Sequence, residues 1–479
     1  MNFRNYQAKQ LKEIIDHLSN PNSPVRAQVY APTGSGKTVI FLEIIRQLHS
    51  ILKGKKPLNI AIVHPRIALS TDQLKRFKDT FGTDFHATSF HSGSHYRSEG
   101  KTAEVSTLNI EQLERIIDNV GDHVTFTSYK SLHKIMDKEF DLLICDEAHN
   151  MVPGKNDEGN EVSKVSVLRN LKAKRILFFT ATPINDEAEE SEGMNNANMF
   201  GKIISETLAK PLIEQGYVVG PVIQTLDVQT DKRGRDGVDT TQIVAESFIK
   251  QKETMAKNGL DTVQMLVCSR GYDDHRKLEN ELQTLWKLIG NPVDLFVVEA
   301  KESRLNGRRL SDRYEALKMI AENGKVGKDT IVIHWDTLAE GIDISSLTGV
   351  VLLRQMKKSK ILQTIGRAGR PYWKDLGADG EIKDMNKRMK PFSILTIPVV
   401  DGEHIGGQRT EDYAKAFIIG GYDELADLIN RDGNTEPNSN STVDEDDKEK
   451  IDPFYSAALS FKSRNKVEEL LNLGLLFSF

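Results

Sequence analysis

Short apolar runs alternate with amphipathic stretches along the first part of the chain, a pattern typical of a parallel sheet covered by helices. The runs that we interpret as strands lie at 27–30, 59–64, 124–126, 140–145 and 175–179. Amphipathic stretches that we interpret as helices lie at 8–18, 39–48 and 67–77. The pattern predicts a first α/β domain.

The alternation weakens between residues 184 and 261 and then restarts. Within the weaker part, the spacing of apolar positions predicts an amphipathic helix over 200–215. The later runs that we interpret as strands lie at 263–268, 293–298, 330–334, 350–353 and 392–399, and the later helices at 273–288 and 312–323. A second parallel-sheet domain is therefore predicted.

These patterns predict an α/β fold with two doubly wound parallel-sheet domains in tandem and a small, mostly helical C-terminal extension. The expected boundaries are 1–185 for the first domain, 186–261 for a connection with accessory elements, 262–400 for the second domain and 401–479 for the extension. Residues 431–450 are acidic and polar, which predicts a linker, and residues 456–476 predict a helix.

Composition agrees with this organisation, since 479 residues are long for one core at about 150 residues per domain. The hydrophobic content of 38% and the charged content of 28% are ordinary for a globular protein. No apolar run reaches the roughly 20 residues of a membrane span, and the N-terminus is polar, so we expect a cytoplasmic protein. Cys145 and Cys268 lie in apolar runs and are expected to be buried thiols. The net charge of −5 leaves nucleic-acid binding open, because a groove needs only local positive charge.

A glycine-rich stretch, Ala31 to Thr38, lies between the first predicted strand and the next helix. Glycines at 34 and 36 let successive backbone N–H groups turn toward an anion, and Lys37 has the reach to contact the β- and γ-phosphates of a nucleotide. The hydroxyl of Thr38 suits Mg²⁺. Since the stretch begins with Ala rather than Gly, a glycine-rich turn without a ligand is the alternative interpretation.

Two adjacent carboxylates, Asp146 and Glu147, follow the continuous apolar run 140–145. At the carboxyl end of a parallel strand, Asp146 is placed to hold Mg²⁺ and Glu147 to orient or deprotonate an attacking water. Paired acids are also common on surfaces. Their position after a phosphate loop in the same strand and helix pattern favours the nucleotide interpretation.

Two further signals in the first domain are weaker. Thr180 and Thr182 belong to a turn after the next strand, and they are candidates for relaying hydrogen bonds from His149. The amide of Gln7, at the start of the first helix, is able to pair with the edge of adenine, although a surface helix end is the alternative.

Arginines 367 and 370 lie three apart among small residues in the stretch Gln363 to Arg370. Guanidinium groups suit a developing phosphate charge, whereas a solvated basic helix is the alternative. Two glycines inside a helical run are unfavourable for that alternative. A group of histidines matches no common zinc pattern, and we do not expect a metal site from His86, His91 and His95.

Three polar residues follow predicted β-strands, at the edge of the sheet where a substrate is expected to lie. Arg66 follows the run 59–64, and the hydroxyls of Thr127 and Ser128 follow the run 124–126 and suit phosphate oxygens. An ordinary helix start explains the latter two residues equally well.

Together these stretches resemble the superfamily-two helicases and translocases with a DEAH box, in the family's order over residues 3–371. The match is most specific at 31–38, 146–149, 180–183 and 363–370. The segment 211–221 is similar to the bridge of the restriction-subunit and repair-translocase branch. The resemblance implies two RecA-like domains that clamp one ATP with Mg²⁺ and bind a nucleic-acid strand across both.

The resemblance also assigns roles by position. It implies metal ligation by Thr38 and Asp146, coupling through His149, Thr180 and Thr182, and catalysis by Lys37, Asp146, Glu147, Gln363, Arg367 and Arg370. The nucleotide contacts it implies are Gln7, Thr33, Gly34, Ser35, Gly36, Lys37, Thr38, Gly341 and Asp343. The strand contacts it implies are Arg66, Thr127, Ser128, Ser269, Arg270 and Thr337.

The function implied is an ATP-dependent helicase or translocase that acts on nucleic acid, with DNA favoured over RNA because the similar branch mostly works on DNA. Two alternatives remain open from the sequence. One is an ATP-switched nucleic-acid sensor that separates no strands. The other is the motor subunit of a nuclease complex in restriction or phage defence, in which a partner protein would cut, since the chain shows no convincing nuclease cluster.

Overall fold

The structure is a computed structural model of the whole chain. It describes residues 3–52, 57–65, 67–82, 85–91, 102–106, 109–152, 164–185, 192–228, 237–290, 292–299, 302–335, 346–377, 380–400, 403–405 and 459–462. The chain divides into two compact units, Met1–Leu208 and Ala209–Phe479.

The first unit is built on a sheet of eight strands, and every pairing among them is parallel. The strands are β1 (Arg26–Tyr30), β2 (Asn59–His64), β3 (His86–His91), β4 (Thr102–Ser106), β5 (His123–Ser128), β6 (Leu142–Cys145), β7 (Ile176–Thr180) and β8 (Lys202–Glu206). Their order across the sheet is β4-β3-β5-β2-β6-β7-β1-β8. The carboxyl ends of all eight therefore lie at one edge.

Helices connect these strands. They are α1 (Asn5–Ser19), α2 (Lys37–Leu52), α3 (Ile67–Phe81), α4 (Ile110–Asn119), α5 (Tyr129–Leu132), α6 (Lys164–Asn170) and α7 (Ala197–Phe200). Strands β5, β6 and β7 are buried along their whole length, as expected for a parallel sheet with two covered faces. Phe41 of α2 packs edge-on against Phe179 of β7, with ring centroids 4.6 Å apart.

The second unit contains a sheet of ten described strands. They are β9 (Pro221–Asp227), β10 (Gln264–Cys268), β11 (Asp294–Val298), β12 (Ser303–Leu305), β13 (Arg308–Arg309), β14 (Thr330–His334), β15 (Gly349–Leu352), β16 (Ser393–Val400), β17 (Glu403–His404) and β18 (Leu459–Lys462). The order is β13-β12-β11-β14-β10-β15-β16-β9-β18, with β17 beside β16. Only the pairings that involve β12, β13 and β17 are antiparallel among these strands.

Its helices are α8 (Ala209–Glu214), α9 (Thr240–Ala256), α10 (Tyr272–Ile289), α11 (Arg313–Val326) and α12 (Lys358–Ala368). Helix α9 is buried along most of its length, and Phe248 packs against Trp286 of α10 with ring centroids 5.2 Å apart. Asp239 caps α9 and Asp312 caps α11, because each carboxylate accepts from backbone N–H groups of the first turn.

The prediction of two parallel-sheet α/β domains is confirmed. The units divide after Leu208, and β9 and α9, which lie within the predicted connection 186–261, belong to the second unit. The helix predicted over 200–215 is wrong at 202–206, where β8 pairs with β1. Pairing with an open sheet edge gives this short segment backbone partners that its apolar spacing does not reveal.

The C-terminal extension is mostly outside the described residues, and so is the predicted acidic linker 431–450. The helix predicted over 456–476 is wrong at 459–462, where β18 pairs in parallel with β9. Cys145 and Cys268 are buried, as predicted. Within the described ranges, no helix combines the length and apolar character needed to cross a bilayer.

Candidate nucleotide site

The candidate site lies at the carboxyl edge of the first sheet, where the central strands β2, β6, β7 and β1 are neighbours. Backbone hydrogen bonds extend the pairing past the strand ends, from Asp146 N to Val63 O at 2.9 Å and from Ala31 N to Thr180 O at 3.0 Å. This extension brings the phosphate loop, the acid pair and the threonine turn to one place.

The phosphate loop connects β1 to α2 and has two glycines with left-handed backbone, Gly34 at φ 87° and Gly36 at φ 86°. A Cβ atom at Gly36 would lie 2.6 Å from Nε2 of Gln7, and the left-handed backbone there would strain any larger residue. The hydroxyl of Tyr6 and the amide of Gln7 both donate to the carbonyl of Ser35, at 2.6 and 3.1 Å. Helix α1 therefore fixes the far side of the loop.

The loop has the features of a polyanion cradle. The side chain of Ser35 is 1% exposed, and within the described part of the chain its Oγ has no hydrogen-bond partner. Lys37 opens helix α2, whose N-terminus attracts negative charge. Since a buried hydroxyl without a partner is unfavourable, the loop fits a triphosphate that would accept from it.

Lys37 also meets the acid pair directly. Its Nζ lies 2.9 Å from Oε1 of Glu147, and both side chains are nearly buried. Glu147 has left-handed backbone, with φ 49°, a conformation uncommon outside glycine, asparagine and aspartate. The residue is therefore held toward Lys37 at a cost in backbone strain, a feature that clusters at functional sites.

Asp146 is held by three contacts. Its Oδ2 lies 3.4 Å from Nδ1 of His64, its Oδ1 accepts from the N–H of Glu147 at 3.0 Å, and its carbonyl accepts from the Tyr129 hydroxyl at 2.6 Å. Burial alone raises the pKa of the Asp146 carboxyl, but the contact with His64 and the charge of Lys37 bring this pKa below its ordinary value. The carboxylate is therefore ionised at neutral pH.

Thr38 and Asp146 fit Mg²⁺ by the chemistry of their donors. Both offer oxygen, and Mg²⁺ is commonly held by one or two such protein ligands together with substrate phosphates. Gln73 of α3 donates to Oγ1 of Thr38 at 2.7 Å and leaves the second lone pair of that oxygen available. No cluster of three or more histidine, cysteine or acidic residues suited to a metal occurs within the described ranges.

His149 connects the acid pair to β7. Its Nδ1 lies 2.9 Å from the hydroxyl of Thr180, 3.2 Å from that of Thr182 and 3.6 Å from Oε2 of Glu147. The N–H of Thr182 donates to the Thr180 hydroxyl at 3.0 Å. Burial lowers the pKa of His149 and outweighs the Glu147 charge, so the imidazole is neutral at pH 7. The structure thus brings together the three residues predicted to couple.

The arginine stretch lies in the second unit, where it forms the C-terminal half of α12 and the residues that follow. Gln363 is buried, and Arg367 and Arg370 are each half-buried. Gly341 and Asp343, predicted to approach the nucleotide, lie outside the described residues.

The predicted strand contacts differ in exposure. Thr127 is buried and its hydroxyl donates to Phe90 O at 2.8 Å, and buried Ser128 donates to the Ser131 hydroxyl at 3.1 Å. Buried Ser269 donates to His334 O at 3.1 Å, whereas Arg270 is exposed. Arg66 and Thr337 lie outside the described residues. The six assignments stay predictions.

Sequence reasoning missed the residues that hold the site in place. They are Tyr6, His64, Gln73 and Tyr129. His64 ends β2, next to β6 in the sheet, so its position at a strand end was a usable signal. The sequence gives no such signal for Tyr6 and Gln73. Tyr6 contacts Ser35 from α1, and Gln73 contacts Thr38 from α3, so only the folded chain brings them to the phosphate loop.

Comparisons with known proteins show what the chain is similar to. Residues 1–185 match the family model of the Type III restriction enzyme res subunit. The chain is 21% identical over 329 residues to a Type I restriction enzyme endonuclease subunit from Staphylococcus saprophyticus, a match that covers 64% of this chain and 33% of that protein.

Two solved structures share the fold. A Type ISP restriction-modification enzyme, LlaBIII bound to DNA, matches with TM-score 0.64 and 18% identity, over 99% of this chain and 32% of that one. A nuclease-deletion mutant of a second such enzyme, LlaGI with a DNA substrate mimic, matches with TM-score 0.57 and 16% identity. The match covers 88% of this chain and 29% of that one. The chain thus spans about a third of the length of these proteins.

The resemblance to the superfamily-two helicases and translocases, in their restriction-subunit branch, is confirmed. The first unit carries the restriction-subunit domain of that class, and the described parts of both units share the fold of restriction-modification enzymes.

Proposed function

We propose that the protein is a nucleic-acid-dependent ATPase that translocates along DNA. The observation that carries this proposal is the contact between Lys37 and Glu147, 2.9 Å apart at the end of a phosphate loop with two left-handed glycines. A lysine for the phosphates and a carboxylate for the water then occupy one site.

The residues divide the work of hydrolysis. Lys37 would exchange its contact with Glu147 for phosphate oxygens, which would release Glu147 to orient and deprotonate the attacking water. Thr38 and Asp146 would hold Mg²⁺, which when bound neutralises phosphate charge. Arg367 and Arg370 would stabilise the charge that develops on the transferred phosphoryl group. Because the loop and acids belong to one unit and the arginines to the other, we propose that hydrolysis depends on both.

DNA is the proposed substrate because the two restriction-modification enzymes above are complexes with DNA or a DNA substrate mimic. Association with a nuclease is the second candidate, favoured by the likeness to a restriction endonuclease subunit of which this chain spans 33%. Two buried cysteines suit the reducing conditions of the cytosol.

The test is the ATPase rate of the purified chain with single-stranded DNA, duplex DNA, forked DNA and RNA, beside a strand-displacement assay. We expect DNA to stimulate hydrolysis and Lys37→Ala to abolish it. Stimulation without displacement favours translocation or switching over unwinding. Full turnover by Lys37→Ala would overturn the proposed function.

A further inference from the structure

Lys390 lies just before β16 and is fully buried in the second unit. Its Nζ donates to the carbonyl oxygens of Ala368 and Arg370, each at 2.7 Å. These two carbonyls belong to the end of α12, from which the side chains of Arg367 and Arg370 extend. A lysine that plays no part in the proposed chemistry thus contacts the backbone of the arginine stretch.

The carbonyl between these two is held as well. Gly369 ends α12, since its N–H donates to Ile365 O at 3.1 Å, and its own carbonyl accepts from Val219 N at 2.7 Å. Three successive carbonyls, at 368, 369 and 370, are therefore fixed. The ammonium also faces the negative end of the helix dipole, which favours a cation there.

Lys390 is held in turn by Asp375. The carboxylate of Asp375, 6% exposed, accepts from the backbone N–H groups of Met389 at 2.8 Å and Lys390 at 3.1 Å. Burial lowers the pKa of Lys390 to about 7. The charge of Asp375 acts to raise this pKa, and the charge of Arg370 acts to lower it. Burying an amine that is charged in water is unfavourable, so hydrophobic packing alone does not account for a lysine here.

We propose that Lys390 is a positioning residue, which holds the backbone of residues 368–370 so that Arg367 and Arg370 are presented in one fixed orientation. This inference rests on the proposed function, in which those arginines act on the γ-phosphate. It predicts an effect on turnover rather than on ATP binding, because both carbonyls that the Lys390 side chain contacts belong to the arginine stretch and not to the phosphate loop.

The experiment compares Lys390→Met with the natural chain in DNA-stimulated ATPase assays. We expect kcat to fall at least tenfold while KM for ATP and the affinity for a fluorescent ATP analogue stay within about twofold. Lys383→Met is the matched control, since Lys383 also donates to a backbone carbonyl, that of Lys374 at 3.0 Å, but is exposed. Its kcat should be unchanged.

A double-mutant cycle that combines Lys390→Met with Arg370→Lys distinguishes a loss of positioning from general structural damage. If Lys390 acts through the arginine, adding Lys390→Met to Arg370→Lys should lower kcat by less than about threefold. The full tenfold loss in both backgrounds would overturn the inference. Circular-dichroism melting identifies a variant that fails to fold, and Lys390→Gln, which keeps N–H donors, then carries the same comparison with a smaller expected loss.

The outcomes also distinguish the two proposals. Absence of ATP turnover in the natural chain with every nucleic acid would overturn the proposed function and this inference with it. Turnover in the natural chain that Lys390→Met leaves within about twofold would overturn this inference alone.

Discussion

At the scale of the residue, Glu147 shows how the site combines strain with chemistry. Its left-handed backbone places the carboxylate between Lys37 and His149, with Oε1 2.9 Å from Nζ of Lys37. A non-glycine residue in such a conformation costs on the order of 1 kcal/mol or more, so packing around it must hold it there. Shape and charge can therefore be tested separately at this position.

We expect Glu147→Gln to keep ATP binding and to lower hydrolysis at least about 100-fold, because the amide keeps the shape but cannot take a proton. Single-turnover hydrolysis and the affinity for a fluorescent ATP analogue measure the two effects. Glu111→Gln, at an exposed position of α4, is the control and should change neither. Hydrolysis by Glu147→Gln within about threefold of the natural rate would contradict the assigned role.

Lys390 makes a prediction for the pH dependence of stability. Its pKa is about 7 in the folded chain, against an ordinary value of 10.5. Between these values the unfolded chain binds a proton that the native chain has released, so the free energy of unfolding should rise with pH. Over two pH units this effect amounts to about 2–3 kcal/mol.

The measurement is urea unfolding of the natural chain and of Lys390→Met at pH 7 and pH 9. We expect the stability of the natural chain relative to the variant to increase toward pH 9. A difference that stays constant or decreases would show that Lys390 does not titrate in this range.

The residues that a motif names were predictable at this scale, whereas those that support them were not. Gly36, Lys37 and Glu147 follow from residue type and spacing, because each has a direct chemical task. Gln73 contacts a residue that lies 35 positions away in the sequence. Lys390 contacts residues that lie at least 20 positions away. Only the folded chain shows that such residues meet.

At the scale of the element, the turn at Ala148–Met151 and the end of β7 are connected through His149. The Thr180 hydroxyl lies 2.9 Å from the imidazole and also accepts from the N–H of Thr182. One hydroxyl thus joins the acid pair to the strand that follows it, which is the arrangement a coupling role needs.

We expect Thr180→Val to lower the stimulation of ATPase by DNA at least about fivefold while basal hydrolysis changes by less than about twofold. The reason is that valine leaves His149 and the Thr182 N–H without this partner, at about 1–3 kcal/mol. Steady-state ATPase with and without DNA gives both numbers.

Thr88→Val is a close control, because the Thr88 hydroxyl lies 2.9 Å from Nε2 of buried His123 in the same sheet. It should lower the melting temperature without changing the stimulation factor. An equal loss of stimulation in both variants would mean that stability, and not coupling, is responsible.

Strands in the middle of a sheet were predicted well, and strands at a sheet edge were not. Strands 59–64 and 330–334 were predicted at their observed bounds, since each is a continuous apolar run in the middle of a sheet. The helix expected at 200–215 is wrong at β8, which pairs only with β1 in the described sheet. Pairing at an edge depends on a neighbour distant in sequence, which local periodicity does not contain.

At the scale of the whole molecule, the residues named in the proposed function are divided between the two units. The first unit has the phosphate loop and the acids, and the second has Arg367 on α12 and Arg370 just after it. The alternating pattern predicted two such units, but it did not assign β9 and α9 to the second, because the apolar pattern there is interrupted by the charged residues 230–241.

This division predicts that Arg370→Ala separates ATP binding from hydrolysis in the full chain. Hydrolysis should fall by about 10³-fold or more, because an arginine that contacts the transferred phosphoryl group raises kcat by about this factor. The affinity for a fluorescent ATP analogue should stay within about threefold. Arg309→Ala, at an exposed position of the same unit, should leave both unchanged. An equal loss of binding and hydrolysis would instead place Arg370 in the binding of ATP, and an unchanged rate would remove Arg370 from catalysis.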